Sequence, residues 1–200
     1  MTARPTLHII AGPNGAGKTT LYLNRIKALT FGAEFINADL LAQSHFGHPA
    51  DTQHESEKGQ ALADERRRQL MASRKSFVTE STFSHSSKLE LVDDARALGY
   101  RIVMYHVHVA SVALSVLRVQ ARVAEGGHTV PEDKIRQRFQ RNQTIIRQAV
   151  LTADHAYVFD NSRLDQPHQL ILTLKKGQVT EAANSLPSWA NELYAAVLAT

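Results

Sequence analysis

The sequence predicts an α/β fold, a three-layer sandwich in which helices cover both faces of a mostly parallel sheet of about five strands. Two observations predict this fold. Short apolar segments rich in β-branched residues alternate along the chain with longer segments of helical periodicity. No internal repeat or linker interrupts this alternation, and 200 residues suit one core. We therefore expect residues 1–200 to form a single domain.

The order of the elements follows from residue type and periodicity. Strands are predicted at residues 7–11, 34–37, 75–80, 101–109 and 156–159. Helices are predicted at residues 20–29, from 40 onward, and at 56–73, 87–99, 111–124, 131–150 and from 187 onward. Residues 45–53 are expected to be a loop. A hairpin is predicted for residues 170–174 and a segment near Val179, with its turn at Lys176 and Gly177.

Local signals refine two of these helices. Ser87 and Glu90 have the spacing of a capping box, and Gly99 is typical of a helix end. In the helix at 56–73, the three consecutive arginines at 66–68 are expected to lie on or near the exposed side.

Composition and charge restrict the possible functions. The chain has no cysteine, which excludes disulfides, thiolate metal sites and cysteine nucleophiles. The first strand comes too early for a signal peptide, and no apolar run reaches the roughly 20 residues of a membrane helix, so a cytoplasmic location is expected. Residues 118–147 contain seven Lys/Arg and three acidic residues, an excess as large as the net charge of +4. This concentration favours an anionic ligand, but without interleaved aromatic residues it argues against nucleic acid.

A phosphate-binding loop follows the first predicted strand. Residues 12–19 match the pattern G-x-x-x-x-G-K-[ST] at every fixed position. Backbone N–H groups of such a loop form an anion cradle, its lysine reaches the β- and γ-phosphates, and its Ser/Thr hydroxyl holds Mg²⁺. We therefore predict that ATP or GTP binds with Mg²⁺, and that the nucleotide contacts are Gly12, Pro13, Asn14, Gly15, Ala16, Gly17, Lys18, Thr19 and Thr20, with Thr19 on the metal.

Two acidic residues are expected beside this loop. Asp39 and Glu80 each follow the end of a predicted strand, and ligands of parallel sheets bind at that edge. Asp39 is the candidate base that takes the proton of an acceptor hydroxyl. Its alternative role is the N-cap of a helix that begins at Leu40. Glu80 is the candidate for a metal or substrate-hydroxyl contact, and a purely structural role stays open for it.

Arginines supply the predicted positive charge of the site. Arg118 and Arg122 share one face of a helix, and Arg138 lies at the edge of the apolar stripe of the next helix. A guanidinium drawn toward a buried face requires an anion. We predict that Arg122 and Arg138 stabilise the transferring phosphoryl group and that Arg118 and Arg141 add phosphate contacts, against the alternative of solvated or salt-bridged surface arginines.

The two helices that carry these arginines are separated by a flexible segment. Gly126 and Gly127 would serve as a hinge, so that residues 118–141 form a small helical lid over the nucleotide. His128, next to the hinge, is a candidate substrate contact, and its alternative role is that of an ordinary hydrogen-bonding turn residue.

With these residues assembled, the sequence resembles the zeta toxin family of small-molecule kinases. The matching segments are residues 12–20, 36–39 and 79–83, and the lid pattern at 122–139. The resemblance implies a phosphate-loop (P-loop) kinase fold and phosphorylation of the 3′-hydroxyl of UDP-N-acetylglucosamine or another nucleotide-containing metabolite. It also implies a toxin with an antitoxin partner.

Residue by residue, the resemblance makes Asp39 the catalytic aspartate and Lys18 the loop lysine. It gives Glu80 and Thr82 substrate-side positions and makes two arginines phosphate clamps. Two other functions stay open from the residues themselves: a polynucleotide 5′-hydroxyl kinase, and a nucleotide-gated binding module without transfer activity.

Overall fold

The computed structural model describes residues 4–127 and 129–199, so the predicted contact at His128 lies outside the described residues. The strands are β1 Thr6–Ala11, β2 Glu34–Ile36, β3 Phe77–Ser81, β4 Arg101–His108, β5 His155–Asp160, β6 Gln169–Lys175 and β7 Gln178–Ala182. Helix α1 comprises Lys18–Leu21, a π-helical segment Tyr22–Ile26, and Lys27–Leu29. The other helices are α2 Ala38–Phe46, α3 Gln53–Ala72, α4 Ser87–Ala97, α5 Val112–Ala124, α6 Glu132–Thr152 and α7 Ser188–Leu198.

The sheet confirms the predicted α/β fold and extends it. Its order is β2-β3-β1-β4-β5-β6-β7, and the first five strands in this order are parallel. The predicted hairpin, β6 and β7, pairs antiparallel with β5, so the described sheet has seven strands rather than about five. The hairpin satisfies the hydrogen-bonding edge that β5 would otherwise expose. β1 lies between β3 and β4, which places the end of β1 near the centre of the sheet.

Helices cover both faces of the sheet. The larger core lies between one face and apolar side chains of α3, α4, α6 and α7. The other face packs against Leu21, Tyr22 and Ile26 of α1. A third, small cluster joins α5 to α6 through Val116, Val119 and Ile135. The helices that carry the predicted lid arginines therefore pack on each other through a cluster of their own. No described helix has both the length and the apolar character needed to cross a bilayer.

Two local predictions are wrong. Ser87 does not cap α4: the N-cap is Ser86, which has helical backbone angles and makes no capping hydrogen bond from its side chain. A capping box is instead formed by Thr52 and Glu55 at the start of α3, where the sequence analysis placed a loop. The pattern T-x-x-E was present there and could have been recognised.

Arg67 is the second correction, because its side chain is buried, with 4% exposed, rather than at the surface. Its guanidinium pairs with Asp64 and donates a hydrogen bond to the Thr79 hydroxyl at 3.1 Å. Arg66, one residue earlier, does lie at the surface and binds Glu34. Neighbouring residues of a helix differ by about 100° in direction, so consecutive arginines cannot share one environment.

Candidate active site

The loop between β1 and α1 has a backbone that only glycine fits at three positions. A Cβ at Gly12 would lie 2.0 Å from the Val107 carbonyl oxygen. Gly15 and Gly17 have φ of 69° and 85°, the left-handed region that other residues rarely adopt. Glycines at these positions therefore allow the tight curl that the phosphate-loop pattern predicts.

Side chains hold this loop from behind. The Asn161 amide donates to the Ala16 carbonyl at 2.8 Å, and the His168 Nε2–H donates to the Gly17 carbonyl at 2.8 Å. The Ser115 hydroxyl donates to the Asn14 carbonyl. These hydrogen bonds occupy carbonyls of the loop, whereas an anion cradle is formed by N–H groups of the backbone. Arg118, a predicted phosphate contact, lies behind the loop and donates to the Asn161 carbonyl at 2.6 Å.

Lys18 is the centre of charge in the site. Its side chain is buried, and its ammonium donates to the Pro13 carbonyl at 2.9 Å. Burial lowers the pKa of Lys18 from its ordinary value, with opposite contributions from carboxylates and guanidiniums nearby. The carboxylates of Glu80 and Asp39 raise this pKa, and the guanidiniums of Arg122 and Arg138 lower it. The fold therefore brings together around Lys18 the four charged residues that the sequence selected.

Glu80 and Thr19 lie side by side. One carboxylate oxygen of Glu80 accepts hydrogen bonds from the Thr19 hydroxyl at 2.7 Å and from the Asn37 amide at 3.0 Å. A carboxylate and a hydroxyl are hard oxygen donors, the ligand type that Mg²⁺ prefers. Their position at the end of the phosphate loop fits a metal bound next to the phosphates.

Asp39 lies in the first turn of α2, and the alternative of an N-cap role for it is wrong. The N-cap is Asn37, whose side-chain oxygen accepts from the Asp39 N–H at 2.8 Å and from the Leu40 N–H at 3.2 Å. The Asp39 carboxylate is therefore not used in capping, and it stays exposed beside the cleft. Asn37 was a missed site residue, although Asn is a preferred N-cap and stood in the recognised segment.

The lid residues separate into two groups. Arg122 and Arg138 line the cleft. Burial, followed by the charge of Arg141, lowers the pKa of Arg138, and Asp39 opposes this shift. Arg141 itself is exposed, as is Thr20 on α1, and neither lines the cleft.

The cleft has a volume of about 350 Å³. Residues of the phosphate loop and the lid arginines line it together with Thr82. The sequence analysis missed several polar residues of α3 and α4 that also line the cleft: Gln60, Asp64, Ser87 and Lys88. No local motif marks these residues, because α3 and α4 are far apart in sequence and meet only in the folded chain.

Comparisons with known proteins identify a family for this chain. The sequence model of the family described as zeta toxin matches residues 1–166. An uncharacterized protein of Haemophilus influenzae is 30% identical over 63 residues, which are 32% of this chain and 45% of that protein.

Similar solved structures show the same fold at low sequence identity. AvrRxo1-ORF1 in complex with AvrRxo1-ORF2 has a TM-score of 0.71 at 18% identity, over 98% of this chain and 64% of that chain. A structure from the PezAT chromosomal toxin–antitoxin system of Streptococcus pneumoniae has a TM-score of 0.65 at 16% identity, over 96% of this chain and 79% of that chain. The chain thus spans less than two thirds of the lengths of the Haemophilus protein and of AvrRxo1-ORF1.

Proposed function

Because the chain belongs to the zeta toxin family, we propose that it is a kinase that transfers the γ-phosphate of ATP or GTP to a hydroxyl of a small nucleotide-containing metabolite. The acceptor that we propose is a UDP-sugar such as UDP-N-acetylglucosamine. The observation that carries the proposal is that Asp39, Glu80, Arg122 and Arg138 line one cleft with the buried Lys18, beside a glycine-dependent loop. Positive charge stabilises a transferring phosphoryl group, and a nearby carboxylate activates the acceptor.

Each residue has a defined part in the proposed reaction. The loop amides and Lys18 bind the β- and γ-phosphates, and Arg122 and Arg138 stabilise the negative charge on the transferring group. Thr19 and Glu80 would hold Mg²⁺, which when bound neutralises charge on the phosphates. AvrRxo1-ORF1, which shares the fold, has been crystallised with ATP, and this supports the choice of nucleotide.

Asp39 is the proposed general base. It accepts the proton of the acceptor hydroxyl while the new O–P bond forms, and the bond between the γ-phosphorus and the bridging oxygen breaks to release the nucleoside diphosphate.

We also propose an inhibitory protein partner. The PezAT structure belongs to a toxin–antitoxin system, and AvrRxo1-ORF1 was crystallised with a second protein, AvrRxo1-ORF2. We expect the chain to co-purify with the product of a co-transcribed neighbouring gene. We also expect that complex to have lost the transfer activity.

The substitution Asp39→Asn tests the base assignment. The variant is expected to bind ATP like the wild type and to lose about 10²- to 10⁴-fold in transfer rate, the usual contribution of a general base. Asp94→Asn, at an exposed position of α4, is the matched control and is expected to transfer normally. The assay incubates protein with labelled ATP and a panel of nucleotide sugars and dinucleotides, and identifies the labelled product by mass. Wild-type transfer rates in Asp39→Asn would refute the base assignment.

A further inference from the structure

The segment between β5 and β6 contacts the phosphate loop, although the two are far apart in sequence. His168, at the end of this segment, donates from Nε2 to the Gly17 carbonyl at 2.8 Å. Asn161, at its start, donates to the Ala16 carbonyl at 2.8 Å and accepts from the His168 N–H at 3.0 Å. The two side chains therefore bind consecutive carbonyls of the loop and are joined to each other. His168 lies beyond residues 1–166, which the family model matches.

The hydrogen bond from His168 is additional to those that form α1. The Gly17 carbonyl already accepts from the Leu21 N–H at 2.9 Å, a bond of the ordinary helical spacing. A carbonyl oxygen has two lone pairs, and His168 uses the second one. The carbonyl would thus keep a partner without His168. The need to satisfy a buried polar group does not account for this contact.

His168 is committed to this contact by its own conformation. Its φ is 52°, in the left-handed region that residues other than glycine rarely adopt. Only 4% of the residue is exposed, and burial lowers the pKa of the imidazole, so the ring is neutral at pH 7. A neutral imidazole has one N–H group, and here that group is donated to Gly17.

The bound carbonyls fix the direction of two backbone donors. In a planar trans peptide, the C=O and the N–H that follows it point in opposite directions. The bound Ala16 carbonyl therefore fixes the Gly17 N–H, and the bound Gly17 carbonyl fixes the Lys18 N–H. Both N–H groups point away from the side chains that hold the carbonyls. N–H groups at the start of a helix have no partner within it, and such groups bind phosphates.

The C-terminal part of the chain holds these side chains in place. Trp189 of α7 donates to the Asp160 carboxylate at 3.0 Å, one residue before Asn161. Strand β6 begins directly after His168. The contact with the loop is close, because a Cβ at Gly17 would lie 2.5 Å from the Asn161 amide nitrogen. The position of the loop is thus tied to β6 and α7.

We propose that His168 is a positioning residue for the phosphates of the bound nucleotide. It fixes the peptide between Gly17 and Lys18, so that the Lys18 N–H is directed at the phosphates. Nucleotide affinity then depends on a residue outside the phosphate-loop motif. The inference rests on the nucleotide-binding part of the proposed function, because it assumes that this loop holds ATP and ADP.

The test measures the binding of AMP, ADP and ATP by calorimetry, with Mg²⁺ and without an acceptor. AMP lacks the β-phosphate, so the ratio of ADP affinity to AMP affinity reports how firmly the loop holds that phosphate. His168→Met removes the N–H donor at constant side-chain length. It is expected to weaken binding of ADP and ATP by about 10- to 100-fold, the magnitude of one hydrogen bond to a charged group, and to leave AMP unchanged.

Two further variants separate the N–H donor from the shape of the side chain. His168→Gln should restore most of the ADP affinity, because its amide N–H extends as far along the side chain as Nε2. His168→Asn suits the left-handed backbone, but its amide is too short to reach Gly17, so it should behave like His168→Met. His54→Met, at an exposed position of α3, is the control and should bind like the wild type. Thermal unfolding identifies the folded variants that enter the comparison.

The outcomes distinguish this inference from the proposed function. Equal ADP affinity of the wild type, His168→Met and His168→Asn overturns the positioning role and leaves the kinase proposal intact. A parallel loss of AMP and ADP affinity in which His168→Gln is as weak as His168→Met also overturns it, since that result indicates a general structural role. A wild-type protein that binds none of the three nucleotides refutes the proposed function, and the inference with it.

Discussion

Asn37 links the start of α2 to the metal side of the site, and substitutions at this position separate its two contacts. Its side-chain oxygen caps α2 by accepting from the N–H groups of Asp39 and Leu40, and its amide donates to Glu80 at 3.0 Å. Alanine removes both contacts. Serine keeps a capping oxygen but is too short to reach Glu80. Aspartate keeps the cap and replaces the donor to Glu80 with a second carboxylate.

The expected changes follow from these contacts. Loss of an N-cap costs about 1 kcal/mol, and loss of a partly buried hydrogen bond to a charged group costs about 2 kcal/mol. The free energy of unfolding should therefore fall by about 3 kcal/mol in Asn37→Ala and by about 2 kcal/mol in Asn37→Ser. In Asn37→Asp the two carboxylates repel each other, which raises the pKa of the pair in the folded state. A raised carboxyl pKa destabilises at neutral pH, so this variant alone should gain stability relative to the wild type as pH falls toward 4.

Urea unfolding measures these changes as shifts of the midpoint at constant slope. Asn24→Ala, at an exposed position of α1, is the control and should stay within about 0.5 kcal/mol of the wild type. If Asn37→Ser is as stable as the wild type, the contact with Glu80 contributes nothing, and the reasoning fails. Equal stability of Asn37→Ser and Asn37→Ala would instead show that the cap contributes nothing.

Two further predictions concern the fold around the site. Gly12→Ala should prevent folding, because its Cβ would lie 2.0 Å from the Val107 carbonyl oxygen. Gly32→Ala, with open space around it, is the control and should fold, with a free energy of unfolding lower by about 1 kcal/mol. A Gly12→Ala variant that is soluble and unfolds cooperatively would contradict this prediction. Burial lowers the pKa of His106, and it lowers the pKa of His108 to about 4. As the pH falls below 6.5, these histidines therefore bind protons in the unfolded chain before they do so in the folded protein. Stability should therefore fall as pH decreases from 6.5, by about 3 kcal/mol at pH 4 for His108 alone, and urea unfolding of His108→Gln should show a smaller decrease; an unchanged decrease would contradict the assignment.

The sequence was sufficient for the features that depend on local pattern. The phosphate loop requires glycine, lysine and a hydroxyl at fixed spacing along a continuous chain, and a strand and a helix flank it in sequence as in space. Asp39 and Glu80 could be placed because carboxyl ends of parallel strands meet at one edge. The hairpin turn at Lys176 and Gly177 is equally local, but the pairing of β6 with β5 was not predicted, because the residue pattern of a strand does not indicate which strand it pairs with.

The direction of side chains on helices was predicted less well. Three consecutive arginines look alike in sequence, yet Arg66 is at the surface and Arg67 is buried against Asp64. The S-x-x-E spacing at Ser87 also matched a capping box that does not form. Propensity rules describe an isolated segment, and tertiary packing determines which face of a helix is covered and how its first turn is approached.

By itself, the sequence determined which groups make up the candidate site of this protein: a loop for phosphates, a lysine within it, and carboxylates at the adjacent strand ends. Only the tertiary structure decided how these groups are supported and what faces them. It joined Thr19 and Asn37 on one oxygen of Glu80, bound Asn161 and His168 to carbonyls of the loop, and brought Lys88 into the lining of the same cleft. The reason is distance along the chain. A motif specifies residues that act within one turn, whereas contacts between residues far apart in sequence exist only after the sheet and its helices have packed.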